Sequence, residues 1–276
     1  MSFDYERYLR LEHLPHLWCP GCSHGVVTKA LLRAIDKQGL DQDKVVVVSG
    51  IGCASRLPGY VDFCTLHTTH GRALPFATGI KLARPELHVI VVSGDGDALA
   101  IGGNHFIHAC RRNIDLTLVI FNNSIYGMTG GQYSPTTPHG AISSTTPFGN
   151  PDSAFDAVEL AKAAGATYVA RTTAHHVRQM DKLISDGIGH AGFAVIETLG
   201  ICYTNYGRRN RKRYRSNQDM LRELKERTVT ATKAETMSAE ELDRRWVVGL
   251  LHREERPVYT ECCEERTGGA RQPPEK

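Results

Sequence analysis

The stretch Gly94-Asp95-Gly96-Asp97, with Asn122-Asn123 beginning twenty-five residues after Asp97, constrains the fold more than any other feature of this chain. Each motif ends a short apolar run, LHVIVVS at 87–93 and LTLVIF at 116–121. Both runs are rich in β-branched residues and too short for independent helices, so they read as buried strands. Between them, residues 98–112 carry Leu99, Phe106, Ile107, Ala109 and Cys110 at helical spacing. A strand, a helix and a strand of this length form a right-handed crossover unit. Both strands then end on the same edge of a parallel sheet.

That edge has a definite chemistry. Glycines on either side of Asp95 let backbone approach a phosphate, and the helix start after Asp97 offers unpaired N–H groups to an anion. Mg²⁺ takes few protein oxygens and keeps phosphate oxygens in its shell. Asp95 and Asn123 can supply two such oxygens, and the carbonyl of Ile125 a third. Taken alone, Gly-Asp-Gly is more often a strand-end turn and Asn-Asn a loop. Together at this spacing they favour a grip on a cation and a diphosphate.

The remaining chain continues the alternation. Helix and strand pairs are expected at 154–164 with 167–170, and at 174–187 with 193–199, beside earlier helices at 23–37 and 73–83 and a strand at 45–49. The predicted fold is α/β, a mostly parallel sheet with helices on both faces, followed by a C-terminal helical extension. The expected division is an α/β domain at 1–215 and an extension with a tail at 216–276. Ser238 should cap an amphipathic helix over 238–251, and 267–274 reads as a tail.

With 276 residues, 41% hydrophobic and 23% charged, the chain can bury a full core. A net charge of +3 gives no general case for nucleic acid. No segment approaches about 18 uninterrupted apolar residues, so no membrane span is expected. The start lacks a basic region leading into an apolar run, which makes the cytoplasm the default location.

Eight cysteines in such a chain raise metal or redox chemistry before disulfides. Cys19-Pro20-Gly21-Cys22 is a CxxC turn just before a helix, while Cys53 and Cys202 each follow a strand. All sit at element ends, where thiolates can converge. A CxxC with two distant cysteines fits a four-thiolate site, either a [4Fe–4S] cluster or structural zinc. A thioredoxin-like pair is the rival for the CxxC by itself. Cys64 and Cys110 lie among apolar residues and read as packing thiols, and Cys262 and Cys263 as non-ligands in a charged tail.

In order, the chain carries WCPGC-SHG, GIGC-x-SR, THGRALPFATGIKLA, the GDGD and NN pair, YGMTGGQ-x-SPTT and GxC-x-T-x-N. This set resembles the β subunits of 2-oxoacid:ferredoxin oxidoreductases, most of all the 2-oxoglutarate type, densely over 15–215 and weakly beyond. The resemblance implies thiamine diphosphate and Mg²⁺ held by Asp95, Asn123 and the Ile125 carbonyl. It implies Ile51, Gly52, Cys53, Ala54, His70, Gly96, Asp97, Gly127 and Met128 along the cofactor, and Cys19, Cys22, Cys53 and Cys202 on one [4Fe–4S] cluster. The implied reaction is CoA-dependent oxidative decarboxylation of 2-oxoglutarate to succinyl-CoA, or its reverse, with electrons leaving through the cluster to ferredoxin.

The resemblance also implies an α subunit that carries the cofactor-activating glutamate, in an αβ unit paired again as (αβ)2. No catalytic acid is expected in this chain. Arg56, Arg72 and Lys81 are candidates for a substrate carboxylate. The loop at 126–138 is long enough to cover a cofactor. Residues 208–215 hold six basic residues in eight. They read as a solvated face or as a steering surface for an acidic ferredoxin. Three other readings stay open: action on pyruvate or another 2-oxoacid, a non-oxidative decarboxylase or ketolase component with structural zinc, and a zinc-bearing nucleic-acid-binding protein.

Overall fold

The computed structural model describes residues 3–243 and 245–267, so the expected tail lies, beyond Thr267, outside the described residues. In chain order the strands are β1 (Val45–Ser49), β2 (Cys64–His67), β3 (His88–Gly94), β4 (Leu116–Asn122), β5 (Tyr168–Thr173), β6 (Phe193–Leu199), β7 (Thr228–Thr230) and β8 (Trp246–Arg253). The helices are α1 (His24–Lys37), α2 (Ala73–Ala83), α3 (Gly103–Arg112), α4 (Ala157–Ala163), α5 (Val177–Ile188), α6 (Asn217–Glu226), α7 (Ala231–Ala234), α8 (Ala239–Leu242) and α9 (Tyr259–Thr267). The sheet runs β2-β1-β3-β4-β6-β5-β8-β7, parallel throughout except where β8 meets β5.

Alternation along the strands explains the layers. Val45, Val47, Ile90, Val92, Val119 and Ile196 bury one face against α1 and α5. Val46, Val48, Val91, Leu118, Ile120 and Val195 bury the other against α2, α3 and α4. A parallel sheet covered on both sides needs such uninterrupted apolar strands. Register then places the motifs: Gly94 aligns with Phe121, so Asp95 emerges beside Asn122 at one edge.

Two local readings change. The expected helix at 98–112 begins as a turn of π-helix, Asp97–Ile101, and becomes α-helical only from Gly103. The expected helix at 238–251 is corrected. Ser238 does cap a helix, in a capping box with Glu241, but that helix ends at Leu242. Residues 246–253 are instead a strand on the edge of β5, with Val248 buried. The edge of β5 offers unpaired backbone groups, and the Trp-Val-Val run suits a strand once that edge is available. Residues 216–267 thus hold two strands as well as helices and join the same sheet.

Candidate functional site

At the C-terminal edge of β1, β3 and β4 the chain folds around a cavity of about 100 Å³. Ile51, Gly52, Cys53, Ala54, His70, Asp95, Gly96, Asp97, Asn123, Ile125, Gly127 and Met128 all line it. Every residue expected to touch cation or cofactor is therefore brought together. His24, Phe121, Tyr126 and Thr129 line it too. These four were missed as individuals, although His24, Tyr126 and Thr129 sit inside motifs the sequence made visible.

Asp95 is 2% exposed and has no cationic side chain within 4 Å among the described residues. Burial pushes its carboxyl up to about 6, against the pull of the Ser134 and Thr136 hydroxyls and the Asn123 N–H. A buried carboxylate with hydrogen bonds but no counter-ion is suited to a hard cation. The Thr136 hydroxyl lies 2.7 Å from Asp95 Oδ2 and 2.9 Å from Asn122 Oδ1. Asn122 Nδ2 in turn donates to Glu197 Oε1 at 2.7 Å, and Glu197 Oε2 accepts from Arg171 Nε at 2.5 Å. Ser124, in the left-handed region with φ 59°, turns the backbone so that its N–H reaches Asn122 Oδ1 at 3.0 Å.

Asp97, besides lining the cavity, ties its walls together. Its carboxylate accepts from Gly71 N at 2.7 Å, Ile51 N at 3.2 Å and Ser93 Oγ at 2.5 Å, and meets His70 Nδ1 at 2.5 Å. It fastens three loops to one another and sets the orientation of His70. Tyr126 closes the same wall, its hydroxyl donating to the Gly96 carbonyl at 2.9 Å.

Beside this cavity is a cleft of about 230 Å³ lined by Cys19, Cys22, Cys53 and Cys202. Hydrogen bonds dock its three loops. Trp18 Nε1 donates to the Cys53 carbonyl at 2.7 Å, and Ile201 N donates to Ser23 Oγ at 2.9 Å. Asn205 Nδ2 donates to the Gly127 carbonyl at 2.7 Å. A Cβ on Gly127 would lie 3.4 Å from Cys53 Sγ and 3.6 Å from Cys202 Sγ, so the bare glycine keeps the space between these sulfurs open. Burial pushes the Cys22 thiol up to about 12 and that of Cys53 to about 11, and raises Cys202 as well. Thiolates form there when a metal offsets their desolvation. Among the described residues no three His, Cys, Asp or Glu side chains gather as one metal ion requires. The four cysteines border one common cleft.

Other candidates disperse. Arg56 is exposed on the rim of the thiol cleft. Arg72 is exposed with Nη1 2.8 Å from His105 Nε2. Lys81 is corrected: it is 6% exposed at the far end of α2, paired with Asp115 at 2.6 Å and bonded to the Leu87 carbonyl, away from both cavities. Cys110 is buried as expected, but Cys64 is exposed on edge strand β2.

Residues 50–198 match the family model of the thiamine pyrophosphate enzyme C-terminal TPP-binding domain. The chain is 51% identical to a 2-oxoglutarate synthase subunit KorB of Methanocaldococcus jannaschii over 92% of its own length and 94% of the relative's. It is 60% identical to the subunit of that name from Archaeoglobus fulgidus over 74% and 76% of the two chains. A solved 2-oxoglutarate:ferredoxin oxidoreductase from Magnetococcus marinus, with 2-oxoglutarate, coenzyme A and succinyl-CoA bound, superposes with a TM-score of 0.87. That match has 33% identity over 99% of this chain and 94% of the other. On this evidence the chain belongs to the thiamine pyrophosphate enzymes, in the family of the 2-oxoglutarate synthase KorB subunits.

Proposed function

We propose that this chain is the thiamine-diphosphate-binding β subunit of a 2-oxoglutarate:ferredoxin oxidoreductase, converting 2-oxoglutarate and CoA to succinyl-CoA and CO₂ or running the reverse. One observation carries the reading. The Asp95–Asn123 cavity and the four-cysteine cleft share Cys53, Asn123, Gly127 and Met128 as common wall. A carbon-chemistry site and an electron outlet are thereby adjacent.

Asp95 and Asn123, with the Ile125 carbonyl, would hold Mg²⁺. Ile51 to Ala54, His70, Gly96, Asp97, Gly127 and Met128 would face the cofactor. Cys19, Cys22, Cys53 and Cys202 would hold a [4Fe–4S] cluster. When bound, thiamine diphosphate supplies a nucleophilic carbon for the keto group and a place for the electrons left by departing CO₂. The protein's own contribution is position: Asp97 fixes the loops bearing Ile51 and His70, and Thr136 holds the Asp95 carboxylate that would face the cation. A cavity of about 100 Å³ is small for a whole cofactor, against roughly 300 Å³ and more for ligand sites. An α subunit completing the site, and supplying the activating acid, accounts for the difference. Among the described residues no helix is long and apolar enough to cross a membrane.

The test is anaerobic purification together with the α subunit. The expected product is brown, with about four Fe per β chain, and reduces a viologen dye only with CoA and 2-oxoglutarate. Zinc without iron would reject the oxidoreductase reading. Faster turnover of pyruvate or another 2-oxoacid would reject the substrate alone.

A further inference from the structure

The basic run at 208–215 lies next in the chain to Tyr203, Thr204 and Asn205, which line the thiol cleft. It follows directly on the π-helical turn Tyr203–Gly207 that begins after Cys202. Arg209 Nη2 donates to the Gly130 carbonyl at 2.9 Å, and the Tyr203 hydroxyl donates to the Arg215 carbonyl at 2.7 Å. Asn210 Nδ2 donates to the Ile142 carbonyl at 3.0 Å. The run is thus fastened to the loop whose Gly127 separates two of the cysteine sulfurs.

Its charge is largely unspent. All six basic side chains are exposed, and only Arg213 meets a carboxylate, that of Glu223, among the described residues. The chain as a whole carries +3, so the remainder of it is net acidic and the positive field is local. Leu17, 74% exposed, Pro20, Arg56 and Cys19, itself open to solvent, line the cleft directly. Exposed apolar residues beside a fixed cationic rim have the composition of a transient protein-docking surface.

We infer that Leu17, Pro20, Arg56 and the 208–215 run form the docking surface for a small acidic electron-carrier protein, seated over the four-cysteine cleft. This rests on the oxidoreductase reading above and adds to it the place of electron exit. Six charges confined to one short segment, with no basic domain around it, steer a compact acidic protein rather than track a polyanionic strand.

The test uses the anaerobic αβ complex carrying Arg208→Glu, Arg211→Glu, Lys212→Glu and Arg215→Glu, which spares Arg209, bonded to the Gly130 carbonyl, and Arg213, paired with Glu223 of α6. Two readouts are compared with wild type at low ionic strength: binding of a purified acidic ferredoxin, and its reduction against viologen reduction with the same substrates. The expected result is ferredoxin binding and kcat/KM lowered by about tenfold or more, with weaker salt dependence, and viologen reduction within about twofold of wild type. Arg208→Gln with Arg211→Gln should give a smaller loss in the same direction, and decides the matter if the fourfold variant does not fold. Unchanged ferredoxin binding with intact viologen reduction overturns the inference. So does an oligoribonucleotide that binds the wild-type complex more tightly than ferredoxin does and loses that binding in the variant. A wild-type complex without 2-oxoacid-dependent viologen reduction overturns the function reading instead, and the ferredoxin-binding comparison still decides the surface.

Discussion

Asn122 and Glu197 meet through a 2.7 Å hydrogen bond from Nδ2 to Oε1, both side chains buried, on neighbouring strands β4 and β6. The bond fixes which way the Asn122 amide points. Its oxygen then faces Ser124 N and the Thr136 hydroxyl, and Thr136 faces Asp95. On the other side Arg171 binds Glu197 and, at 2.5 Å, Asp156, the cap of α4. A line of polar contacts therefore crosses the sheet from β5 to the carboxylate proposed to hold the cation. Glu197 and Arg171 touch neither cavity; they are positioning residues.

Glu197→Gln separates positioning from folding. The glutamine keeps volume, but an amide that accepts from Arg171 presents its NH₂ toward Asn122. Turning Asn122 would leave Ser124 N and Thr136 without their acceptor. A misoriented acceptor worth about 1.4 kcal/mol lowers Mg²⁺ and thiamine diphosphate affinity about tenfold. Calorimetric titration of the folded αβ complex checks this; unaltered affinity would limit the network to a stabilising role. Glu197→Ala is a harsher change. It strips a buried guanidinium of its main partner and should cost about 3–5 kcal/mol in a denaturant titration.

Asp97 and Gly50 make a second test. A Cβ on Gly50 would lie 2.2 Å from Asp97 Oδ2, far inside contact distance. Gly50→Ala should therefore push the carboxylate off Gly71 N and Ile51 N, with loss of both stability and activity. Asp97→Ala removes the obstruction as well as the bonds. The double variant should be no less stable than Asp97→Ala alone, a strongly non-additive pair. Simple addition of the two losses, measured by urea unfolding, would show that Gly50 is needed for another reason.

These contacts mark where the sequence stops being legible. β1, β3, β4 and β6 were readable because strands buried on both faces are continuous apolar runs, and the glycines, Asp95 and Asn123 sit where those runs end. The partners of Asp97 were not readable: they come from residues 51, 70, 71 and 93, and only the folded edge assembles them. Strand β8 was hidden by the same limit. Its Val-Val-Gly-Leu-Leu segment carries apolar residues that suit a helix face or a strand, and the open edge of β5, some eighty residues earlier, decides. Lys81 looked like a surface cation because its partner Asp115 is thirty-four positions away.

Lys81→Met follows from that last point. Loss of the ammonium leaves Asp115, a third exposed, and the Leu87 carbonyl without their partner. Partial solvation of Asp115 moderates the cost to about 1–3 kcal/mol. The Tm of the complex should fall while KM for 2-oxoglutarate stays within about twofold. A large rise in KM with stability intact would restore Lys81 to the substrate site.

Gly127→Ala tests the thiol cleft directly. At 3.4 Å from Cys53 Sγ and 3.6 Å from Cys202 Sγ, the added methyl makes ordinary van der Waals contact, so the chain itself should fold normally. The same methyl occupies the opening between two sulfurs, where cluster atoms would have to sit. Iron per β chain, measured after anaerobic purification, should drop well below the wild-type value, and the brown colour should fade with it. Thiamine diphosphate retention should fall less, because Asp95, Asn123 and Thr136 are untouched. A full iron complement in a folded Gly127→Ala complex would show that the opening is not where a cluster binds.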